Sequence, residues 1–446
     1  MATVIQAYRF ALDPTPRQRR ALASHCGAAR VAYNWGLHLV QERLEQRREG
    51  EDVEVPWTLP ALRREWNRAK REVAPWWAEN SKEAYSSGLD GLARALKNWN
   101  DSRNGRRKGG PVGFPRFKKK GRARDACRFT TGQIKVLGDR KHVQLPKIGV
   151  LKTHESTRKL ARRLEQGTAR ILAATIARRA DRWFLSFTCE VQRVIPVDNG
   201  KLRVVGVDVG VHNLAVLSTG MMVPNPRALE RSLRKLRRLN RELARRRPNS
   251  RRRRSTGRRL ARVHARTVNV RRDALHKLTT TLANEHATVV VEQLNVAGML
   301  RNRRLARAIA DSGVGEVRSQ LLYKTTWYGS RLVVADRFYP SSKTCSACGW
   351  VKAKLTLAER TFHCEACGLV LDRDLNAARN LAKLVQHVAW SGRETQNARG
   401  ADRKTQLAGR VATMREAGGP MGVGPAPQPS ARDGCCHPLQ TSAERW

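Results

Sequence analysis

Three carboxylates lie in segments whose patterns predict ordered structure, and together they could bind metal ions. Asp208 lies in an apolar, β-branched run that begins at Val204, and Glu292 ends the run TVVVE. Asp374 lies in DRDLNAARN, at the junction of a loop and a helix. A carboxylate in a buried strand is costly unless a cation meets it. One such Asp is as often a capped structural group, but three on separate elements are typical of a two-metal phosphodiester hydrolase.

Four cysteines have the spacing of a zinc site. Two Cys-x2-Cys pairs are separated by fifteen residues, and a glycine follows each pair, where a knuckle turn needs one. Four unrelated thiols would rarely show this pattern. Four thiolates leave no open position on the metal, so the zinc would be structural rather than catalytic. The cysteines are Cys345, Cys348, Cys364 and Cys367.

The segment around Asp208 predicts the strands that position this carboxylate. It reads KLRVVGVDVGVHNLAVLSTG (201–220). The apolar run is typical of a buried strand, and Gly210 then turns the chain. Residues 214–217 predict the partner strand of a hairpin.

Composition favours a polyanionic partner. The chain has 446 residues, with 87 Lys and Arg against 38 Asp and Glu, which gives a formal net charge of +49. Such a charge strains a compact state unless polyanions share the surface. Nucleic acid is the expected partner, and an acidic membrane surface is the weaker alternative.

No membrane-spanning or secreted segment is predicted. No apolar run approaches about 18 residues, and MATVIQAYRF has no apolar signal core. The nine cysteines show no framework outside the four-cysteine pattern, which favours reduced thiols. We therefore expect a cytoplasmic, nucleoid-associated prokaryotic protein with no membrane partner.

The N-terminal part predicts helices inserted into a strand-rich region. Residues 4–12 alternate as a strand, and 17–48, 61–73 and 81–99 have helical patterns. Residues 129–192 are rich in β-branched runs separated by turn signals. We expect these strands to form a small β-barrel that the first strand completes. The runs are 134–136, 143–145, 148–151, 169–177 and 183–191.

A basic loop at 102–124 carries interleaved aromatic residues. Phe114 and Phe117 alternate with Arg116 and the lysines of KKK (118–120). This combination suits the backbone of single-stranded or A-form nucleic acid. A mobile, solvated loop is the alternative.

The most basic segment predicts an antiparallel helical hairpin. Residues 226–272 contain 20 Lys and Arg and two acids in 47 positions. Apolar residues at three- and four-residue spacing form two seams, separated by Arg-Pro-Asn-Ser, and the second helix continues to about residue 285. A solvated face is the alternative, but this charge density favours phosphate contacts. The seams are Leu229, Leu233, Leu236, Leu243, Leu260, Val263, Thr267 and Val270.

The C-terminal part combines ordered and disordered patterns. Residues 314–328 predict a helix, and 332–335 predict a strand. From 391 to 446 the pattern fades into a Gly/Pro-rich tail, for which we expect disorder.

Three motifs resemble one known family. GVDVGVHNLAVLSTG, VVVEQLNV and YPSSKTCSACGW…FHCEACGLVLDRDLNAARNL are similar, in order and spacing, to the RuvC motifs and zinc ribbon of the transposon-encoded TnpB family. That family is related to the compact type V CRISPR effectors. The resemblance extends from about Ala7 to about Leu384 and is strongest after Val204.

The resemblance implies an α/β multidomain fold: an RNase H-like RuvC nuclease with an inserted zinc ribbon, and an N-terminal wedge β-barrel split by a helical recognition insert. The implied boundaries are 1–12 and 125–195 for the wedge, 13–124 for the recognition domain, 200–340 for RuvC with its basic hairpin at 226–285, 341–370 for the ribbon, 371–390 for the RuvC C-terminal part, and 391–446 for the tail.

The resemblance also implies an RNA-guided DNA endonuclease of a transposable element, with guide RNA and target DNA as partners. Asp208, Glu292 and Asp374 would share two Mg²⁺ ions beside the structural Zn²⁺. Asp374 is preferred over Asp372 because it precedes Asn376 in the D-x-N-A-A pattern, and Asp372 remains a candidate helper. The implied nucleic-acid contacts are Lys82, Tyr85 and Ser86 near the DNA-reading surface, and Arg116, Lys118, Lys119 and Lys120 in a PRFKKKG segment that family members share.

Two alternatives remain open at this point. The motifs do not separate TnpB from a compact type V CRISPR effector, although the length favours the transposon protein. A non-cutting guided DNA-binding or transposition accessory protein is the second alternative, which the presence of all three acids disfavours. The sequence leaves a homodimer open.

Overall fold

A computed structural model describes residues 2–196, 202–356 and 358–391 of the chain. The expected disorder of 391–446 concerns residues that lie outside these ranges, apart from Ser391. Among the described helices, none combines the length and the apolar character needed to cross a membrane.

One strand and three capped helices begin the chain, as the sequence predicts. The Thr15 hydroxyl accepts the Gln18 N–H at 3.3 Å, and the Gln18 side chain accepts the Thr15 N–H at 2.9 Å. This capping box ends the strand and starts the first helix. Thr58 and Ser81 cap the other two helices. The elements are β1 (Ala2–Leu12), α1 (Pro16–Arg48), α2 (Leu59–Val73) and α3 (Lys82–Arg103).

Helices α1 and α3 cross at a glycine. A β-carbon at Gly88 would lie 3.1 Å from the backbone nitrogen of Tyr33, and closer still to the carbonyl oxygen of Ala29. Leu89 and Leu92 on the same helix are fully buried in the N-terminal core. The close crossing therefore depends on the missing side chain at position 88.

Seven strands build the strand-rich region. β1 pairs along its full length with the strand at 182–193, whose alternate side chains are buried from Trp183 to Val191. This is the period-2 pattern of a half-buried sheet. The further elements are β2 (Ala126–Phe129), β3 (Lys135–Val136), β4 (His142–Leu145), β5 (Gly149–Lys152), α4 (Arg158–Glu165), β6 (Ala169–Arg179) and β7 (Arg182–Arg193).

The strands form two sheets rather than the single barrel expected from the sequence. One sheet has the order β1-β7-β6-β2 and the other β3-β4-β5, and a bridge from Leu12 to Thr153 connects them. Because the capped helix α1 begins at Pro16, β1 leaves the sheet after this bridge. Helix α4, where the sequence predicts only strands, separates β5 from β6.

A five-stranded mixed sheet forms the second half of the molecule. Its order is β10-β9-β8-β11-β12, with β8, β11 and β12 parallel and β8-β9 the predicted antiparallel hairpin. The elements are β8 (Leu202–Asp208), β9 (Asn213–Leu217), β10 (Met222–Pro224), α5 (Ala228–Arg245), α6 (Arg251–Glu285), β11 (His286–Glu292), α7 (Val296–Met299), α8 (Ala306–Ser312), α9 (Val314–Tyr328) and β12 (Arg331–Ala335).

Helices cover both faces of this sheet. Val205 and Val207 of β8 belong to one apolar cluster with Leu278 of α6 and Leu321 of α9. On the other face, Val290 packs with residues of the last helix, α10 (Arg373–Ser391, numbered in chain order). Strands buried on both faces explain the continuous apolar runs in the sequence.

The basic segment forms the predicted hairpin of α5 and α6, with a slightly different seam. Leu236 and Val263 are buried between the helices, as expected. Leu239, which the sequence analysis left out, is fully buried, whereas Val270 is 41% exposed and does not belong to the seam. Helix α6, with 35 residues, is longer than α5, with 18, and continues beyond the hairpin to Glu285.

A carboxylate from another helix caps the base of the hairpin. Asp311 of α8 is buried and accepts the N–H groups of Leu229, at 2.8 Å, and Glu230, at 3.1 Å. The residue that precedes α5, Arg227, has a φ of 45° and supplies no side-chain cap. Asp311 therefore provides the negative charge that a helix N-terminus favours.

The four cysteines lie in a small unit between β12 and α10. It contains a two-stranded sheet of β13 (Thr361–His363) and β14 (Val370–Asp372). Phe362 is fully buried in a cluster with Cys345 and Cys364. The apolar core of this unit is small, and small cores are typical of units that a metal stabilises.

Candidate active site and zinc cluster

Asp208 and Glu292 end neighbouring parallel strands. β8 and β11 pair in register, with Val207 opposite Val291, and each carboxylate is the next residue of its strand. Because paired residues of parallel strands project to the same face, both side chains leave the sheet on one side. In open α/β sheets, the carboxyl ends of the strands are where ligands bind.

Helix α10 lies on that face and carries Asp374. Gly206, two residues before Asp208, projects toward α10, and a β-carbon there would lie 2.6 Å from the backbone nitrogen of Ala382. Asp374 is in the first turn of the same helix. The close contact of strand and helix therefore brings the third carboxylate toward the first two.

The three carboxylates interact electrostatically. Burial, followed by the negative charges of Glu292 and Asp374, raises the pKa of Asp208 to about 8. Arg373 lowers this pKa, but does not offset the other effects. Carboxylates that repel one another favour a bound cation, because a cation stabilises their charged forms. Carboxylate oxygens are donors that Mg²⁺ prefers. Among the described residues, however, the four cysteines are the only group of metal-binding side chains whose ligand atoms all lie within 4.8 Å of one another, so the three acids do not form a closed metal site in this arrangement.

Two neighbouring side chains hold these acids in position. The Ser341 hydroxyl donates a hydrogen bond to Glu292 Oε1. Asp372 Oδ1 accepts the N–H groups of Asp374 and Leu375, each at 3.0 Å. Asp372 therefore caps the start of α10, the helix that carries Asp374.

The four cysteines are brought together as a cluster. Their Sγ atoms all lie within 4.8 Å of one another. Cys345 and Cys367 are 3.6 Å apart, as are Cys348 and Cys364. Tetrahedral zinc with Zn–S bonds of about 2.3 Å places its sulfurs about 3.8 Å apart, so the cluster fits this ion.

The two glycines make the knuckle turns that the spacing predicts. Gly349 has a φ of 82° and Gly368 a φ of 72°, in the region that disfavours side chains. The turns are closed by backbone bonds from Cys345 to Trp350, at 2.7 Å, and from Cys364 to Leu369, at 2.9 Å. Each Cys-x2-Cys pair thus lies on a backbone turn of the kind that the spacing predicts.

Two asparagines connect the cysteine unit to α10, and the sequence analysis assigned neither a role. Asn376 Nδ2 donates to Thr344 O at 2.7 Å, and its Oδ1 accepts the Ser346 N–H at 2.8 Å. Asn380 Nδ2 donates to Ser341 O at 2.8 Å. Both asparagines are buried. Their i, i+4 spacing in DRDLNAARN places them on one helix face, which is the sequence signal that could have shown this contact.

The expected nucleic-acid contacts on α3 divide into two groups. Tyr85 is only 2% exposed, stacks on Trp66 with ring centroids 5.0 Å apart, and donates to Trp77 O at 3.2 Å. This expectation is wrong, because the ring is part of the core. Lys82 is exposed, and Ser86 accepts a hydrogen bond from the Arg63 guanidinium, so both stay candidates.

The basic loop is more ordered than its composition predicts. The Lys118 ammonium lies 3.5 Å from the centre of the Tyr33 ring, and burial lowers its pKa to about 8. Its backbone is held by Asn34, whose Oδ1 accepts the Lys118 N–H at 2.8 Å. Lys118 is therefore held by the protein rather than free for phosphate. Of the contacts expected in this loop, Arg116, Lys119 and Lys120 are exposed.

The outer face of the α5–α6 hairpin is a continuous basic surface. Its basic side chains on α5 all point to solvent, while Arg262 of α6 pairs with Asp181 in the β6–β7 turn. The pair lowers the pKa of Asp181 and ties the hairpin to the first sheet. The exposed residues of α5 are Arg231, Arg234, Lys235, Arg237, Arg238, Arg241 and Arg245.

Three family models match the segments that carry these features. A "Probable transposase" model matches 186–303, which includes Asp208 and Glu292. A "Cas12f1-like, TNB domain" model matches 315–381, which includes the cysteine cluster and Asp374. A "Helix-turn-helix domain" model matches 1–49. These matches place the chain in the class of transposon-encoded proteins that combine an acidic site with a zinc-ribbon-type unit.

Similar proteins identify the family. The chain is 40% identical to "Putative RNA-guided DNA endonuclease Rv2885c" of Mycobacterium tuberculosis, over 97% of this chain and 95% of the relative. It is 30% identical to "Putative RNA-guided DNA endonuclease InsQ" of Escherichia coli, over 89% and 96%. The chain belongs to this family, the TnpB family of RNA-guided DNA endonucleases.

One solved structure that the chain matches is a "Cas12f1-sgRNA-target DNA complex". The two chains share 13% identity, with a TM-score of 0.49, over 85% of this chain and 99% of that one. In sequence, a Cas12f1 of Sulfoacidibacillus thermotolerans is 33% identical over 67 residues, or 15% of this chain.

Proposed function

We propose that this protein is an RNA-guided DNA endonuclease that cuts through its RuvC-type acidic site. The observation that carries the proposal is the placement of Asp208 and Glu292 at the ends of paired parallel strands, under the helix that bears Asp374. Membership of a family whose full-length relatives are named RNA-guided DNA endonucleases supports it.

Asp208, Glu292 and Asp374 are the residues that would hold Mg²⁺. When bound, such ions lower the pKa of an attacking water and stabilise the leaving 3′ oxygen. The protein's own contribution is to orient the donors: Ser341 fixes Glu292, and Asp372 fixes the start of α10. The raised pKa of Asp208 means that this acid gives up a proton when the cation binds.

The basic surfaces would hold the guide RNA and the target DNA. The outer face of the α5–α6 hairpin and the exposed loop residues Arg116, Lys119 and Lys120 are suited to phosphate contacts, which carry no sequence information. In a guided enzyme, base pairing supplies the sequence specificity, so the protein needs only to recognise the backbone of the heteroduplex. Lys82 and Ser86 remain the candidates for reading DNA near the target.

The domain boundaries that the family resemblance implies are part of this proposal. The two N-terminal sheets would form the wedge at 1–12 and 125–195, around the helical recognition domain at 13–124. The five-stranded sheet, with α10, would form the RuvC nuclease at 200–340 and 371–390. The cysteine unit at 341–370 would be a structural zinc ribbon, because its four thiolates leave no open position on the metal.

A compact type V CRISPR effector is the second candidate. Its support is the match to a Cas12f1, which covers only 67 residues. The relatives named RNA-guided DNA endonucleases match most of the chain. A non-cutting accessory protein is disfavoured because all three acids are present and two of them end paired strands.

Guided cutting is tested by changing the guide. The protein is purified with the RNA from its own locus, the RNA is sequenced, and its target-matching segment is replaced. Cleavage that moves to DNA matching the new segment supports the proposal. Recovery of only heterogeneous RNA, or cleavage that ignores the segment, contradicts it. An RNA that spans a transposon end distinguishes TnpB from a CRISPR effector.

A further inference from the structure

One aromatic ring beside the acidic site has no partner in the core. Phe338 is 85% exposed, more than any other large apolar side chain in the part of the chain that the structure describes. A phenylalanine side chain is normally buried, where its large apolar surface stabilises the fold. A ring that contributes so little to the fold is available for a ligand.

The position of Phe338 is set by the acidic site. The loop that carries it begins after Ala335, whose backbone pairs with Glu292, and ends at Ser341, whose hydroxyl donates to the same carboxylate. Phe338 is three residues from each of these anchors. Because an extended chain spans at most about 3.6 Å per residue, its Cα lies within about 11 Å of both.

The loop is built to present this ring outward. Asp336 Oδ1 accepts the Phe338 N–H at 2.8 Å, which fixes the backbone. The next residue, Tyr339, points inward, packs on the α10 face of the sheet and donates to Asn380 O at 3.3 Å. One aromatic therefore anchors the loop while its neighbour stays in solvent. Since the backbone is held at both residues, a ligand would meet a largely preformed surface.

Arg337, the residue before Phe338, places a cation next to the exposed ring. The Arg337 guanidinium lies 5.7 Å from the centre of the Phe338 ring, and Arg337 is also exposed. Because the guanidinium lies over one face of the ring, a base would stack on the other face. A stacking ring with a cation close enough to meet the phosphate is the combination that binds single strands without reading their sequence.

We propose that Phe338 stacks on an unpaired base of the DNA strand that enters the acidic site, within a few nucleotides of the phosphate that is cut. This inference rests on the proposed function and adds a positioning contact to it. Phe338 would hold the strand as an unpaired chain, which favours single-stranded over duplex DNA at the site.

The test is a double-mutant cycle between the ring and the base. RNA-loaded complexes with Phe338 or Phe338→Ala, both also carrying Asp208→Ala to keep the strand intact, are titrated with target DNA in which one nucleotide at a time is abasic. With Phe338 present, we expect affinity to fall about 5- to 150-fold at one or two positions near the cut. With Phe338→Ala, an abasic nucleotide at the same positions should cause no additional loss of affinity. Phe338→Trp keeps an aromatic ring, so the abasic nucleotide should again lower the affinity at these positions.

The control and the other outcomes separate this inference from the proposed function. Leu322→Ala removes another exposed apolar side chain, 62% exposed on α9 at the opposite face of the sheet, and should not change any abasic effect. Equal abasic profiles for Phe338 and Phe338→Ala would overturn the stacking contact, even if the wild type cuts. If the unsubstituted protein does not cut matched DNA, the proposed function fails, while the coupling, measured as binding, still decides the role of the ring.

Discussion

Gly206 lies directly against the carbonyl oxygen of Ala378, with no space for a side chain between strand β8 and helix α10. A β-carbon at Gly206 would also lie 3.0 Å from the Leu381 side chain. This contact fixes the distance between the strand that carries Asp208 and the helix that carries Asp374. The geometry of the acidic site therefore depends on a residue that has no functional group.

Gly206→Ala should push α10 away from the sheet. We expect a loss of about 1–3 kcal/mol in the free energy of unfolding, and a larger fractional loss of cleavage, because the added carbon meets backbone that cannot move freely. Chemical denaturation and guided cleavage measure the two effects. Gly257→Ala is the matched control: nothing lies within 4 Å of its β-carbon position in α6, so it should be neutral or stabilising. A Gly206→Ala protein that matches this control would contradict the close packing.

Loss of zinc should disorganise α10 as well as the cysteine unit. Asn376 and Asn380 bind the backbone of that unit, so its unfolding removes their partners. We expect one zinc per wild-type chain, and for Cys364→Ser a loss of zinc, a lower melting temperature and loss of cleavage. Metal analysis and thermal unfolding measure this. Cys435→Ser, outside the cluster, should keep its zinc. Full cleavage by zinc-free protein would show that the unit does not support the site.

Ser341→Ala should weaken Mg²⁺ binding without affecting the fold at large. The substitution removes the hydroxyl that donates to Glu292 and leaves this carboxylate free to rotate. Loss of such a supporting bond typically costs about 10- to 100-fold in metal affinity or activity. The measurement is the Mg²⁺ concentration that gives half-maximal cleavage. Ser342→Ala is the neighbouring control and should leave this value unchanged, as should Ser341→Thr, which keeps a hydroxyl. An unchanged value in Ser341→Ala would rule out the positioning role.

Acid should destabilise the helical N-terminal part through His25. Its Nδ1 lies 2.8 Å from Ala21 O, and its Nε2 accepts the Ser81 N–H at 3.1 Å, so the neutral ring connects α1 to the start of α3. Burial lowers its pKa below 6.5 in the folded chain. Between that lowered value and 6.5, the unfolded chain binds more protons. Stability is therefore complete above pH 6.5 and falls as the pH drops toward the folded pKa.

The measurement for His25 is the free energy of unfolding as a function of pH. His25→Gln keeps a polar side chain but does not titrate, so its stability should fall less steeply between pH 7 and 5 than that of the wild type. The residual slope reflects other groups with shifted pKa values: His276 and His286, lowered by burial, act in the same direction as His25, and Asp208, raised to about 8, acts in the opposite direction. Equal slopes for both proteins would show that His25 does not contribute.

The sequence predicts the strands that carry Asp208 and Glu292 because the signals for them are local. Asp208 and Glu292 each follow an apolar run, and such runs form parallel strands whose carboxyl ends meet. The cysteine spacing and its two glycines likewise define the cluster without knowledge of the fold. These motifs, which carry the family resemblance, are confirmed as strands, turns and cluster.

The features that the sequence does not predict depend on contacts between segments that are far apart along the chain. Tyr85 has the same polar character as a binding residue, and only its packing in the fold, including the stack on the Trp66 ring, shows that it belongs to the core. Asp311 caps α5 from 82 residues away, a pairing that no local pattern shows. The strand order of the two sheets and the Leu12–Thr153 bridge that connects them also pair segments that are far apart in the sequence.

The most direct test of the central claim is cleavage of RNA-matched duplex DNA by Asp208→Asn in the presence of Mg²⁺. This substitution keeps the shape of the side chain and removes its charge at the end of β8. Cleavage should fall on the order of 10⁴-fold, while RNA binding and zinc content match the wild type. Cleavage at the wild-type rate by a correctly folded, RNA-loaded Asp208→Asn protein would contradict the account.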